Sequence, residues 1–386
     1  MRPVVGIICE YDPFHRGHQH QFELIRQRLP DALILCLMSG CFTQRGMPAM
    51  HQPGARAQAA LCAGADLVLE LPCAFAVRDA EHFALGGVEL LTALGFVTHL
   101  SFGAEDDDLP MLQNAARLME SPTAAYETFL RQALDKGLSF AAAQGEALGK
   151  CLGHPERWSR PNNILALCYL RALLCLGSPL LPLPVRREGD YHAAALEENL
   201  WPSASGVRQA LLAGNQQEAD EACGYPLPRS PLCRPDALDL LLLYKLRTAL
   251  PENLAQLPDC TEGLEHRLKA CAAQADSRQT LLSLLKTRRY AYARLNRLCA
   301  HALLDMDSQL LAQNTHPTYA RLLGLRRDAS ERTSLLRHSG LPIIAKAADG
   351  KPDDPLYQLD DRAYELWALG AGLPSGLMYR QKIAVF

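Results

Sequence analysis

Val4-Val5-Gly6-Ile7-Ile8-Cys9-Glu10-Tyr11-Asp12-Pro13-Phe14-His15-Arg16-Gly17-His18 is an apolar strand that runs straight into a His-x-Gly-His turn. Small and β-branched residues carry the run to Glu10, and Pro13 breaks it. A helical pattern follows, with Phe22, Ile25 and Leu29 on one face. His15 and His18 therefore fall where the first helix begins, at the free backbone N–H groups and the positive end of the helix dipole. Gly17 has no Cβ and lets the backbone come close to an anion. The stretch reads as a nucleoside triphosphate site. Two imidazoles there suit attack on an α-phosphate, because fixed donors stabilise the charge that builds on the non-bridging oxygens, and no covalent enzyme intermediate is needed. The competing reading is a pair of histidines packed at a tight turn for structural reasons.

Working outward, the sequence predicts strands near Val4 to Cys9, Leu33 to Met38, Leu67 to Leu71 and His99 to Phe102. Helical stretches near Gln19 to Arg28, Ala55 to Ala63 and Glu81 to Leu94 separate them. This alternation argues an α/β fold, a parallel sheet with helices on both faces. Ligands in such sheets lie outside the carboxyl ends of the strands. The loops carrying His15 and His18, Ser39-Gly40, Pro72 and Gly103-Ala104-Glu105 should then share one rim.

The chain has 386 residues, 48% of them hydrophobic, which suits a globular protein of two or three domains. The first apolar run is short and meets Glu10 and Asp12, unlike a secretory leader. No apolar stretch reaches membrane-spanning length, since Arg171 interrupts Ile164 to Leu176. A cytoplasmic protein with no membrane partner is expected. The 13 cysteines show neither a Cys-x-x-Cys pair nor a Cys/His ligand spacing. They read as reduced core residues, with no structural zinc site and no disulfide.

Pro161-Asn162-Asn163 opens an apolar helix to Leu176, its amides able to cap the helix or bind a ligand. After a Pro-rich strand and Val185-Arg186-Arg187, the run Pro202-Ser203-Ala204-Ser205-Gly206-Val207-Arg208 begins another helix. Its first turn could hold phosphate oxygens or could be an ordinary serine cap beside a solvated arginine. From about Pro231 the pattern turns helical, with apolar faces over Leu238 to Leu250, Glu265 to Ala275, Leu281 to Leu304 and Ala320 to Leu325. A boundary is placed between Gly214 and Pro231. Charge is uneven: Arg267 to Lys346 holds 14 Lys and Arg against 5 Asp and Glu, a balance of +9, and the rest of the chain carries −12. Within it, Lys286 to Arg297 has five basic residues, no acid and two tyrosines. That mixture suits phosphate contact and base stacking, and suits equally a solvated basic face with its tyrosines on the core.

The segments Glu10 to His18, Met38 to Ala49, Ala65 to Pro72, Phe102 to Glu105 and Pro161 to Leu165 together resemble the bacterial tRNA(Met) cytidine acetate ligases. The likeness continues through Ser203 to Arg208, Gly263 to Arg267, Lys286 to Arg297 and Arg321 to Leu325. The resemblance implies a Rossmann-like nucleotidyltransferase domain over residues 1–220 and a mainly helical, basic, tRNA-binding domain over 221–386. It implies that acetate is activated with ATP and passed to N4 of the wobble cytidine of elongator tRNA(Met). Carried over by motif, ATP would be held by Ile7, Ile8, Cys9, Glu10, Tyr11, Asp12, Pro13, Phe14, His15, Arg16, Gly17, His18, Gln19 and His20, with Gly103, Asn162 and Arg186. Arg186 is preferred to Arg187 by its spacing to Tyr191-His192. To these the physical reading adds His15 and His18 as the catalytic pair and Ser205 and Arg208 at the β and γ phosphates. Mg²⁺ would bridge phosphate oxygens without a protein cage. Lys286, Arg288, Arg289, Arg294 and Arg297 would meet the tRNA.

Two departures stand out from the family pattern. Asp12 and Arg16 replace the asparagines usual in the turn, and Pro53-Gly54 replaces a Lys-aromatic pair ahead of Arg56. Two other readings stay open: a nucleotidyltransferase acting on a small phosphate ester, and a non-catalytic RNA-binding protein that keeps a nucleotide fold. The long basic helical region favours the tRNA ligase over the first of these.

Overall fold

The computed structural model describes residues 2–106, 108–187, 202–261, 263–287, 290–327 and 330–386. Its frame is a sheet ordered β5 (Leu181–Arg186), β4 (His99–Ala104), β1 (Val4–Cys9), β2 (Leu33–Ser39), β3 (Leu67–Leu71), β6 (Ala320–Leu325) and β7 (Ile343–Ile344), with β8 (Ala384–Val385) paired to β6. β1 (Val4–Cys9), β2 (Leu33–Ser39), β3 (Leu67–Leu71) and β4 (His99–Ala104) fall within two residues of the sequence reading. β1, β2 and β3 are buried throughout, as parallel strands covered on both faces must be. Successive side chains enter opposite cores. Ile8, Leu35 and Leu37 join one with Phe83, Val88 and Leu167; Ile7, Cys9, Ile34 and Cys36 join the other with Phe22, Ile25, Ala57 and Leu61. The first core lies under the helices Ala80–Ala93 and Pro161–Cys175, the second under α1 (Arg16–Arg28) and α2 (Pro53–Cys62). Among the described residues no helix is long and apolar enough to cross a membrane.

From β1 the chain steps to β2 and β3 on one side, while β4 and β5 (Leu181–Arg186) add parallel on the other. The order thus reverses between β1 and β4. The crevice outside their carboxyl ends is where ligands bind in open α/β sheets.

The structure corrects two expectations for the second half. Ala320–Leu325, read as helical, is strand β6 and runs antiparallel to β3; β7 (Ile343–Ile344) and β8 (Ala384–Val385) extend the sheet from it. Six residues are too few to separate a helical period from a strand. What decides the outcome is the open edge of β3, whose N–H and C=O groups need partners. Leu281 to Leu304, read as one helix, is divided into Arg278–Leu285 and Tyr292–Leu304, with Lys286 and Thr287 outside both. The other helices follow expectation, at Asp239–Thr248 and Leu264–Gln274.

Long-range hydrogen bonds join the helical half to the sheet. Arg278 donates to the carbonyls of Gly46 and Asn296, both at 2.7 Å, and Trp367 Nε1 donates to Ala49 O at 2.6 Å. Gly46 has φ +76°, and a Cβ there would lie 2.7 Å from Arg297 Cα, so no side chain fits.

Candidate active site

His15 is the N-cap of α1, and its Nδ1 accepts the Gly17 N–H at 3.1 Å. His18 reaches back, and its Nδ1 accepts the His15 N–H at 3.2 Å. The pair forms a capping box written with imidazoles in place of the usual hydroxyl and carboxylate. Because both Nδ1 atoms accept, the hydrogen-bond pattern assigns the proton to Nε2 in each ring. The rings stack at 3.7 Å, and Tyr11 and Phe14 pack on His18 at 4.8 and 5.4 Å. A Cβ on Gly17 would press on the His15 ring at 3.0 Å, a second reason for glycine in this motif.

The two rings are neutral. Burial, then Arg187 and Arg208, lower the His15 pKa to about 3. Burial, then the neighbouring His15 and Arg187, hold His18 well below its ordinary value. The site thus offers Nε2–H donors without imidazolium charge. His15 is 1% exposed, and its Nε2 has no hydrogen-bond partner among the described residues. A buried donor left unpaired costs about 1–3 kcal/mol, so this atom is poised for a ligand acceptor.

Arg208 comes from the first turn of the Ala204–Leu212 helix, whose cap is Ser203 Oγ accepting the Gly206 N–H. It donates to Asp12 O at 2.6 Å and to Ser205 Oγ at 3.1 Å, tying this helix to the histidine loop. Asp12, the departure in the turn, is buried. Its carboxylate accepts the Met50 N–H at 2.8 Å and lies 3.8 Å from Arg208. The charge that would repel a phosphate is therefore held behind the loop.

Arg187 donates to Asn162 Oδ1 at 3.1 Å, and its stem lies beside Gly103. Asn162 and Asn163 start the Pro161–Cys175 helix, where both backbone N–H groups and the Asn162 amide donate to the Glu105 carboxylate. Gly103, Asn162, Arg187, Arg208 and the imidazoles thus belong to one crevice. Arg186, carried over as an ATP contact, and Arg187 are placed differently. Arg186 is exposed on the edge strand β5, and its successor Arg187 is the one that acts on both histidines. Strand alternation turns consecutive side chains to opposite faces, so the two arginines cannot both face the crevice.

Within the segment from Ile7 to His20, Ile7, Ile8, Cys9, Tyr11 and Phe14 are core residues that frame the site. Pro13 follows a cis peptide bond. Arg16 and Gln19 are exposed, Gln19 donating to Glu23, and His20 lies 3.5 Å from the Glu23 carboxylate. Glu10 Oε1 accepts the Gln44 N–H from the loop after β2. Arg56, to which no role was given, is 2% exposed and donates to the carbonyls of Glu10, Gly40 and His51. It locks the first two strand loops together, and no local pattern announces a buried arginine of this kind.

The basic segment is arranged differently. Arg288 and Arg289 lie outside the described residues. Lys286 sits 5.5 Å over the Tyr292 ring; Arg294 lies 5.1 Å over Tyr290 and donates to Asp259 O and Thr261 Oγ1. Arg297 does not reach the surface. It is 7% exposed, and its Nε donates to Asp259 Oδ2 at 3.1 Å. Its guanidinium binds the helix to the loop before Leu264, so the expected tRNA contact has little exposed charge to rest on at this position.

A strand-loop-helix with paired imidazoles at the topological switch of a parallel sheet defines the class of nucleotidyl transferases. The family model described as HIGH Nucleotidyl Transferase matches residues 2–375. Relatives named tRNA(Met) cytidine acetate ligase include one from Acetivibrio thermocellus, 33% identical over 96% of this chain and 94% of the relative. Another, from Syntrophomonas wolfei, is 35% identical over 90% of this chain and 88% of the relative. The apo crystal structure of Thermotoga maritima TmcAL superposes with a TM-score of 0.89 at 27% identity, covering 100% of this chain and 99% of that one. A second form of the Thermotoga protein, bound with alpha-thio ATP, superposes at 0.83 and covers 96% and 95%. The chain belongs to the tRNA(Met) cytidine acetate ligase family and is a ligase.

Proposed function

We propose that this protein activates acetate with ATP and transfers the acetyl group to N4 of the wobble cytidine of elongator tRNA(Met). An acetate oxygen attacks the α-phosphorus and pyrophosphate leaves, giving acetyl-adenylate. The cytidine amine then attacks the acetyl carbon and AMP leaves. The observation that carries this reading is the neutral imidazole pair with the unpartnered His15 Nε2–H, held between Arg187 and Arg208. Nε2–H donors would stabilise the charge developing on the α-phosphate, with the two arginines as fixed counter-charge. In this assignment Ser205 and Arg208 take the β and γ phosphates, while Gly103, Asn162 and Arg187 take the rest of the nucleotide. Mg²⁺ would arrive on the phosphate oxygens. Among the described residues no three His, Cys, Asp or Glu gather into a cation cage, and the groups around the imidazoles are anion-binding.

Residues 1–220 would carry the ATP chemistry, and the helical half would present the anticodon loop from the cytoplasmic pool of tRNA. Lys286, Arg288, Arg289 and Arg294 remain as phosphate contacts, with Tyr290 and Tyr292 beside them. The test measures acetate-dependent pyrophosphate release from ATP, with and without bulk bacterial tRNA, and follows labelled acetate into RNA. Release with label entering tRNA is the expected result; release that requires a phosphate ester instead of acetate would replace the reading.

A further inference from the structure

In the reading above the imidazole pair serves the α-phosphate, and the transfer step that follows needs a proton acceptor. Amine attack on an acyl-adenylate forms a C–N bond, breaks the bond from the acetyl carbon to the AMP oxygen, and leaves a proton on nitrogen. A nucleobase amine delocalises its lone pair into the ring, so its proton becomes strongly acidic only as the C–N bond forms. A carboxylate placed at that nitrogen is basic enough to accept it.

Glu10 is so placed. β1 and β2 pair with Cys9 opposite Met38, so the next residue, Glu10, comes beside Ser39 at the carboxyl edge. On its other flank β1 pairs with β4 at the switch point. Alternation puts the Glu10 side chain on the face of Ile8, away from α1 and the histidines, which pack on the face of Ile7 and Cys9. Its carboxylate acts on Tyr169 of the Pro161–Cys175 helix, which belongs to that same face. One oxygen, Oε1, accepts the Gln44 N–H. Beside it Ser39 Oγ is fully buried, with no hydrogen-bond partner among the described residues. Two strand-end polar groups, one ionisable and one unpaired, thus lie on the face opposite the phosphate donors.

Resting on the acetyl-adenylate reading above, we propose that Glu10 is the proton acceptor for the nucleobase amine in the acetyl-transfer step. The amine proton passes to the Glu10 carboxylate as the N–C bond closes and AMP departs with the bonding pair. Glu10 is suited to this by its surroundings: burial, with Asp12, raises its pKa against the opposing pull of Gln44, Arg45 and Arg56. Raised basicity makes it a better acceptor while leaving it ionised above that pKa.

The test separates the two half-reactions in one preparation. Pyrophosphate release reports adenylation, and single-turnover transfer of labelled acetyl to bulk bacterial tRNA reports the second step. Glu10→Gln keeps an acceptor oxygen for the Gln44 N–H and removes the base. Its ratio of transfer to adenylation is expected to fall by about 100-fold, with loss of the acid limb that the wild type shows as Glu10 protonates. Glu10→Asp, a shorter base, should recover part of the ratio and restore the limb. An unchanged ratio, or both rates falling together in Glu10→Gln, overturns the proposal and leaves Glu10 as an anchor for the 41–49 loop. A wild type that makes no acetyl-adenylate overturns the reading and the proposal with it, and is recognised before any variant is made.

Discussion

The helix start at His15 and the basic stretch from Lys286 to Arg297 both look, in sequence, like places where an anion binds, and they are built in opposite ways. At the first, few charges are spent internally. Two neutral rings hold each other through backbone N–H groups, and one ring nitrogen is left buried and unpaired. At the second, the cations are partly consumed by the fold: Arg297 by the Asp259 carboxylate, Arg294 by carbonyl and hydroxyl oxygens of the same loop. A basic count in a sequence therefore overstates the charge on offer. An unpaired donor among buried atoms is the better sign of a ligand.

The largest effect should come from the helix start. Replacing His18 by Ala removes one Nε2–H donor and the cap on the His15 N–H. Adenylate formation should fall by about 100- to 1,000-fold, the scale of losing one donor to a developing oxyanion, with tRNA retention on a filter little changed. Full adenylation by His18→Ala would return the pair to the packed-turn reading and erase the contrast.

The second region is sharpened by comparing two substitutions within it. Arg297→Ala strands the Asp259 carboxylate next to a buried gap, and should lower unfolding free energy by about 3 kcal/mol in denaturant titration. The double change Arg288→Ala and Arg289→Ala should leave the denaturation midpoint near wild type. It should also weaken tRNA binding and reduce the slope of log K against log salt by about 1.5, the share of two phosphate contacts. The reverse outcome, with Arg297→Ala flattening the salt slope and keeping its midpoint, would put Arg297 at the surface.

The effect that is smallest per step is a pH dependence, read one pH unit at a time. With the His15 pKa depressed to about 3, the unfolded chain takes up that proton from about pH 6.5 downward and the folded chain does not. Stability is therefore fully present above pH 6.5 and declines as pH falls through the window toward 3, by about 1.4 kcal/mol per pH unit for this residue. His15→Gln should remove that part of the slope. A slope unaltered by the substitution would mean that His15 is already protonated in the folded state.

Much of the first half of the chain was legible because its signals are local. A buried parallel strand reads as a continuous apolar run, and Pro13 with Gly17 marks where the strand gives way to the helix. Asn162 and Arg208 were singled out by the same logic of helix first turns. The sequence places two arginines at a strand end, and only the assembled structure shows that Arg187 is the one acting on the histidines. Arg56 had no signal at all. Its three carbonyl acceptors lie on loops contributed by different strands, and its burial exists only after they meet.

The sequence alone determined the α/β class, the order of the first four strands and the position of the paired histidines. Each depends on periodicity or helix-start chemistry within a few residues. Tertiary structure alone decided that Ala320–Leu325 is a strand, through the open edge of β3 and the pairing of Arg321 with the buried Glu70 carboxylate at 2.8 Å. It alone decided that Arg297 is internal, that the imidazoles are neutral and that Asp12 is shielded. Edge pairing, desolvation and ion pairing act between groups brought together from distant parts of the chain, and their energies are fixed by distances that a local pattern does not contain.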